Sequence, residues 1–127
     1  MQALAEWHRI VATGDLAALE DLLDDEVVFH SPVVHTPIAG RPMTSLYLAG
    51  AYHVLAGGRF RYVREVVGEH DAVLEFVTEV DGIHVNGVDM ITWNDDGRIT
   101  DFKVMIRPKK AFDLVHSKMA ELLAVGT

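Results

Sequence analysis

The chain has 127 residues, 50% hydrophobic and 24% charged, with 10 Gly, 4 Pro and no Cys, the make-up of one globular domain over 1–127. The lack of thiols excludes disulfides, Cys nucleophiles and Cys-ligated zinc or iron–sulfur centres, and suits a reducing cytoplasm, the expected location. A net charge of -8 opposes nucleic acid, no apolar run is long enough to span a bilayer, and no basic-then-apolar leader precedes Trp7. Neither nucleic acid nor a membrane is therefore an expected partner.

In chain order, Leu4, Trp7 and Val11 recur at i, i+3 and i+7, with Ala3 and Ile10 widening the stripe, which predicts an amphipathic helix from Ala3 to Val11 ended by Gly14. Asp15 is placed to cap a second short helix lined by Leu16, Leu19, Leu22 and Leu23. Asp24, Asp25 and Glu26 oppose the dipole at its C-terminal end and close it, before Val27, Val28 and Phe29 begin a strand. Ser31 to Gly40, with Pro32 and Pro37, reads as a loop, and Pro42 suits the first turn of a third helix that Gly57-Gly58 ends.

Four strand-like runs follow: Arg59 to Val67, Ala72 to Val80, Ile83 to Trp93 and Arg98 to Arg107, joined by short turns. Pro108 then opens a last helix on which Phe112, Val115, Met119 and Leu122 keep helical spacing. Helices ahead of an antiparallel meander predict an α+β fold, a curved, mostly antiparallel sheet packed on three helices of the N-terminal half plus a C-terminal one. Neither a dinucleotide nor a P-loop fingerprint occurs, so no nucleotide cofactor is expected.

Asp89 breaks the local rule. It sits in Val88-Asp89-Met90-Ile91, and period-2 alternation puts it on one face with Val85, Gly87 and Ile91. If that face points inward, burial favours the neutral acid and makes it a candidate general acid or base near neutral pH; the alternative is a structural Asp bonded to backbone or water. Asp81, Asp95 and Asp96 are in turns, where Asp bonds nearby backbone, and Glu75 and Glu79 share a solvated strand face.

Seven His include the pair His30 and His35, but around two prolines rather than one helical turn, so no metal site is expected. Ser31 lacks the Gly-flanked elbow of a hydrolase nucleophile. Trp7 and Trp93 read as core residues, with Asp89 a possible acceptor for the Trp7 indole N–H. Arg59, Arg61 and Arg64 form a modest basic cluster, either a solvated strand edge or an attractor for an acidic ligand.

Thr13-Gly14-Asp15, the segment Asp24 to Pro32, Gly40 and the run Val88 to Ile99, in that order and spacing, resemble the nuclear transport factor 2-like superfamily over essentially the whole chain. That superfamily includes ketosteroid isomerase and the SnoaL-like polyketide cyclases, and the resemblance implies a conical α+β barrel and a homodimer through the outer sheet face. It matches Asp89 to a protonated acid that binds an oxyanion, Trp7 to an oxyanion-binding tyrosine, and Ser31 to the catalytic base aspartate. A hydroxyl cannot be that base, so ketosteroid isomerisation by the family mechanism is not expected. A His-Trp pair frequent in the cyclases is replaced by Asp101-Phe102, and the water-activating aspartate of limonene epoxide hydrolases falls on Val104.

The same resemblance implies an apolar cavity lined by Val11, Leu23, Val85, Gly87, Phe102, Val104 and Ile106, with Asp89, Trp7 and Ser31 as polar points. The expected ligand is a small apolar molecule with a carbonyl or hydroxyl. The expected activity is of isomerase, cyclase or lyase type, with Asp89 moving a proton, Trp7 donating to an oxyanion and Ser31 orienting substrate or water. The competing expectation is a non-catalytic binding or dimerisation module.

Overall fold

Apolar spacing sets the first layer. In the computed structural model, which describes residues 2–126, helix α1 (Gln2–Thr13) turns Ala3, Trp7 and Ile10 inward. A single 3-10 turn (Leu16–Ala18) and the one-turn helix α2 (Leu19–Leu22) lead into strands β1 (Leu23–His30) and β2 (Ile38–Ala39), and helix α3 (Arg41–Leu55) starts with Pro42 in its first turn. Strands β3 (Arg61–Val67), β4 (Asp71–Val80), β5 (Ile83–Trp93) and β6 (Ile99–Arg107) form the meander, and helix α4 (Lys109–Gly126) closes the chain.

The sheet runs in the order β2-β1-β6-β5-β4-β3, with β1 parallel to β6 and the other pairings antiparallel. Four helices and this curved, mixed, unclosed sheet make an α+β cone. Along β4 and β5, alternate residues face the helices and are buried, while their neighbours look outward. Leu23, Val27, Leu74, Val85 and Ile99 are fully enclosed, and burial of this apolar surface is the main source of stability.

Two boundaries differ from the sequence expectation. β1 starts at Leu23, which is extended (ψ 134°) and pairs with Ile99, so Asp24, Asp25 and Glu26 lie in the strand and do not end a helix. The register shift between Leu23 and Val28 turns these acids outward, where Asp24 accepts from Asn94 at 3.2 Å and Asp25 pairs with Arg41 at 2.8 Å. Asp15 makes no side-chain cap, because its carboxylate binds Arg9 at 3.1 Å.

Candidate functional site

β5 alternation aims Asp89 into the cone, with Leu74 of β4 and Val104 of β6 directly beside it in register. The residue is 5% exposed. Its Oδ2 accepts a 2.7 Å hydrogen bond from the Tyr62 hydroxyl, which in turn accepts from the Trp7 Nε1–H at 3.0 Å. Oδ1 has no partner among the described residues. Burial pushes the Asp89 carboxyl up to about 7, against a smaller downward pull from the Tyr62 hydrogen bond. The Tyr62 phenol is raised well above its ordinary value, first by burial and then by the Asp89 charge.

Aromatic packing fixes this chain of donors. Trp7 meets Phe102 edge-on at 4.9 Å between ring centroids, and Phe60 lies edge-on to Tyr62 at 5.2 Å and stacked on Phe76 at 5.1 Å. Above the carboxyl is an apolar cavity of about 60 Å3, lined by Trp7, Val11, Phe102, Val104 and Asp89 together with Leu48, Tyr52, Phe60, Tyr62 and Phe76. A wider hollow of about 340 Å3 shares Val11, Tyr52, Ala56, Phe60 and Tyr62 with it and adds His8 and Arg61. Gly14 (φ +75°) ends α1 beside Tyr52, which lines both spaces, since a Cβ there would stand 2.8 Å from the Tyr52 hydroxyl oxygen.

Five residues expected around the cavity are elsewhere. Leu23 is enclosed in the core at the start of β1. Gly87 and Val85 share the face of Asp89, but Phe76, paired with Gly87, lays its ring where a Gly87 side chain would stand and ends the cavity there. Ile106, opposite Gly87 on β6, is half-buried against the core and does not line the cavity. Ser31 is held outside, its Oγ accepting the Val33 and Val34 amides at 3.1 and 3.4 Å in a proline turn.

Trp7 also changes role: its N–H is taken by Tyr62, so it neither reaches Asp89 directly nor is free for an oxyanion. Tyr62 is the polar residue that the sequence reading did not single out. Alternation of Phe60 and Tyr62 in an otherwise exposed run was its signal, masked by Arg59, Arg61 and Arg64.

Other candidates fall apart spatially. His30 Nε2 lies 2.9 Å from Asp101 Oδ1 on the outer sheet face, away from Asp89. No group of three His, Asp or Glu side chains among the described residues is placed to hold a metal ion. No described helix is long and apolar enough to cross a membrane.

Residues 4–102 match the model of the SnoaL-like domain, and the chain belongs to that family. It is similar to the crystal structure of a steroid delta-isomerase from Pseudomonas aeruginosa, with 39% identity, 98% of this chain and 90% of that one covered, and a TM-score of 0.93. An uncharacterised bacterial protein with a cystatin-like fold from Silicibacter pomeroyi shares 32% identity over 94% of this chain and 83% of its own, at a TM-score of 0.86. The epoxide hydrolase/cyclase-like enzyme SalBIII, which has a role in pyran ring formation in the polyether salinomycin, shares the fold at 19% identity and a TM-score of 0.67, with 84% and 88% covered. No match was found among curated proteins. The isomerase- and cyclase-type neighbours thus share one cone.

Proposed function

We propose that the chain catalyses proton transfer on a small, mostly apolar carbonyl or hydroxyl compound, in the isomerase, cyclase or lyase class, with Asp89 as the acid–base group. The observation that carries this is a single carboxyl in an apolar cavity with one oxygen bonded and the other free. With its proton on Oδ1, Asp89 donates to a substrate oxygen and stabilises the charge that develops there; with the proton gone, the same oxygen accepts one. A carboxyl pushed up to about 7 has both forms populated near neutral pH.

Tyr62 and Trp7 act behind it. The phenol holds Oδ2 and the indole holds the phenol, so the carboxyl keeps one orientation as it titrates. The delta-isomerase name of the Pseudomonas relative supports the reaction class.

The test is conversion of small β,γ-unsaturated ketones to conjugated enones, together with α-proton exchange in D2O. Asp89→Asn is expected to lower the rate about 100-fold or more. Full turnover by the variant would remove Asp89 from the chemistry, and no turnover by the native chain, with a small ligand retained in native mass spectra, would favour a non-catalytic binding module.

The outer sheet face supports assembly as a homodimer. Val66, Val73 and Met90 form one row across β3, β4 and β5, with Val88 and Met105 in the next, and Val66 is 61% exposed. Sedimentation equilibrium checks this, and a monomer at every concentration would exclude it.

A further inference from the structure

Resting on the acid–base reading above, we propose that His8 is a second catalytic residue, a base in the outer hollow that works on the substrate whose carbonyl oxygen Asp89 holds inside. The substrate class that follows is an enolisable carbonyl compound with a slender carbonyl end and a bulkier body.

His8 follows Trp7 on α1, and the 100° step between neighbours on a helix sends the indole into the core and the imidazole to the opening. The imidazole Nε2 pairs with the Glu65 carboxylate of β3, and the ring stands edge-on to Tyr62 with centroids 5.3 Å apart. Tyr62 in turn donates to Asp89, so it touches two titratable groups, one lining the cavity and one lining the hollow that opens beside it. Nδ1 has no hydrogen bond among the described residues. The Glu65 carboxylate lies beside Nε2, so Nδ1 is the ring nitrogen left to take a proton, and the carboxylate stabilises the imidazolium that forms. Glu65 is thus a positioning residue.

Volumes set the division of the substrate. The smaller space, about 60 Å3 beside Asp89, takes the carbonyl end, and the larger hollow of about 340 Å3 beside His8 takes the body. For a β,γ-unsaturated ketone the steps balance without a co-reactant. His8 Nδ1 takes the proton from the α carbon, that C–H electron pair becomes a carbon–carbon double bond, and the carbonyl π pair takes the Asp89 Oδ1 proton, giving a dienol. Asp89 then recovers the hydroxyl proton, the carbonyl re-forms, and His8 returns its proton to the γ carbon.

The experiment follows 3-cyclohexenone to its conjugated isomer by absorbance, with the native chain, His8→Gln, Glu65→Gln, Glu65→Asp and, as a control, His70→Gln at an exposed pair with Asp95 far from the hollow. The His8 side chain is 36% exposed, so His8→Gln keeps the fold, which circular dichroism checks. Expected are a kcat lower by about 100-fold in His8→Gln with KM little changed, a smaller kcat loss in Glu65→Gln, partial recovery in Glu65→Asp, and no change in His70→Gln. A His8→Gln chain with native kcat, or with only KM raised, overturns the assignment of His8 while leaving Asp89 in place if Asp89→Asn is inactive. A native chain that neither converts the ketone nor exchanges its α protons overturns both.

Discussion

Glu75, Glu79 and Asp101 on the outer face of the sheet each stand beside a basic side chain, Arg64 at 3.6 Å, Arg59 at 3.8 Å and His30 at 2.9 Å. Asp89, on the inner face of the same sheet, stands between Leu74 and Val104 with a phenol for its partner. Outside, the carboxyls meet water and basic side chains, and inside, desolvation makes ionisation of Asp89 costly. The backbone is the same pleated strand in both cases, so one step in register separates a solvated surface acid from a buried one.

The largest expected effect breaks that contrast by removing the inner acid. The folded carboxyl is pushed up to about 7, whereas the unfolded chain titrates near its ordinary 3.8. Below both values each state is protonated and pH has no effect through this group. As pH rises from about 4 to about 7 the unfolded state ionises first, so native stability falls over that window and then levels off. Asp89→Asn lacks this loss. Urea unfolding at pH 4.5 and pH 8 should show the variant gaining on the native chain by at most roughly 3 kcal/mol, the part of the shift above pH 4.5 at 1.36 kcal/mol per unit. Equal pH dependence in both proteins would mean that Asp89 is solvated.

A smaller change sharpens the same contrast from the side of the phenol. Tyr62→Phe removes the donor to Asp89 and strands the Trp7 N–H in an apolar site, at a cost of about 1–3 kcal/mol. The hydrogen bond favours the ionised carboxyl, so its loss should move the Asp89 pKa further up. The carbon-13 shift of the Asp89 carboxyl against pH measures this, and a downward move would contradict the bonding described.

Much of the cone was legible because its signals are local. Leu4, Trp7 and Val11 repeat at helical spacing, β4 and β5 alternate, and Asp89 interrupts an apolar face, each within one element. The start of β1 was hidden because Leu23 reads equally well as the last residue of a leucine-lined helix and as the first of a strand, and only pairing with Ile99, far along the chain, decides it. Tyr62 and His8 were hidden for the same reason. Their partners are Asp89 and Glu65, on other elements, and contacts between elements far apart in the chain leave no spacing in the sequence. Family resemblance misled at Ser31, where the fold position is kept but the proline turn draws the hydroxyl to its own backbone.

The smallest expected effect on the folded chain is on the outer face, and it separates the two faces by function. Val66 is 61% exposed on the edge strand β3, paired with Val73, so Val66→Glu places a charge where water already reaches. Monomer stability should change by no more than about 0.5 kcal/mol, as for ordinary surface substitutions. The enone assay should keep its rate, because the cavity lies behind the sheet and Val66 does not line it. A row of Val66, Val73 and Met90 repeated on a second copy would instead bring two carboxylates into an apolar contact, which costs far more than it does in water. Sedimentation should then show the dimer weakened while denaturation of the monomer is unchanged. If the substitution leaves association intact, the outer valines are not the contact, and the exposed edge of β3 is held apart from other copies by its Arg and Glu side chains.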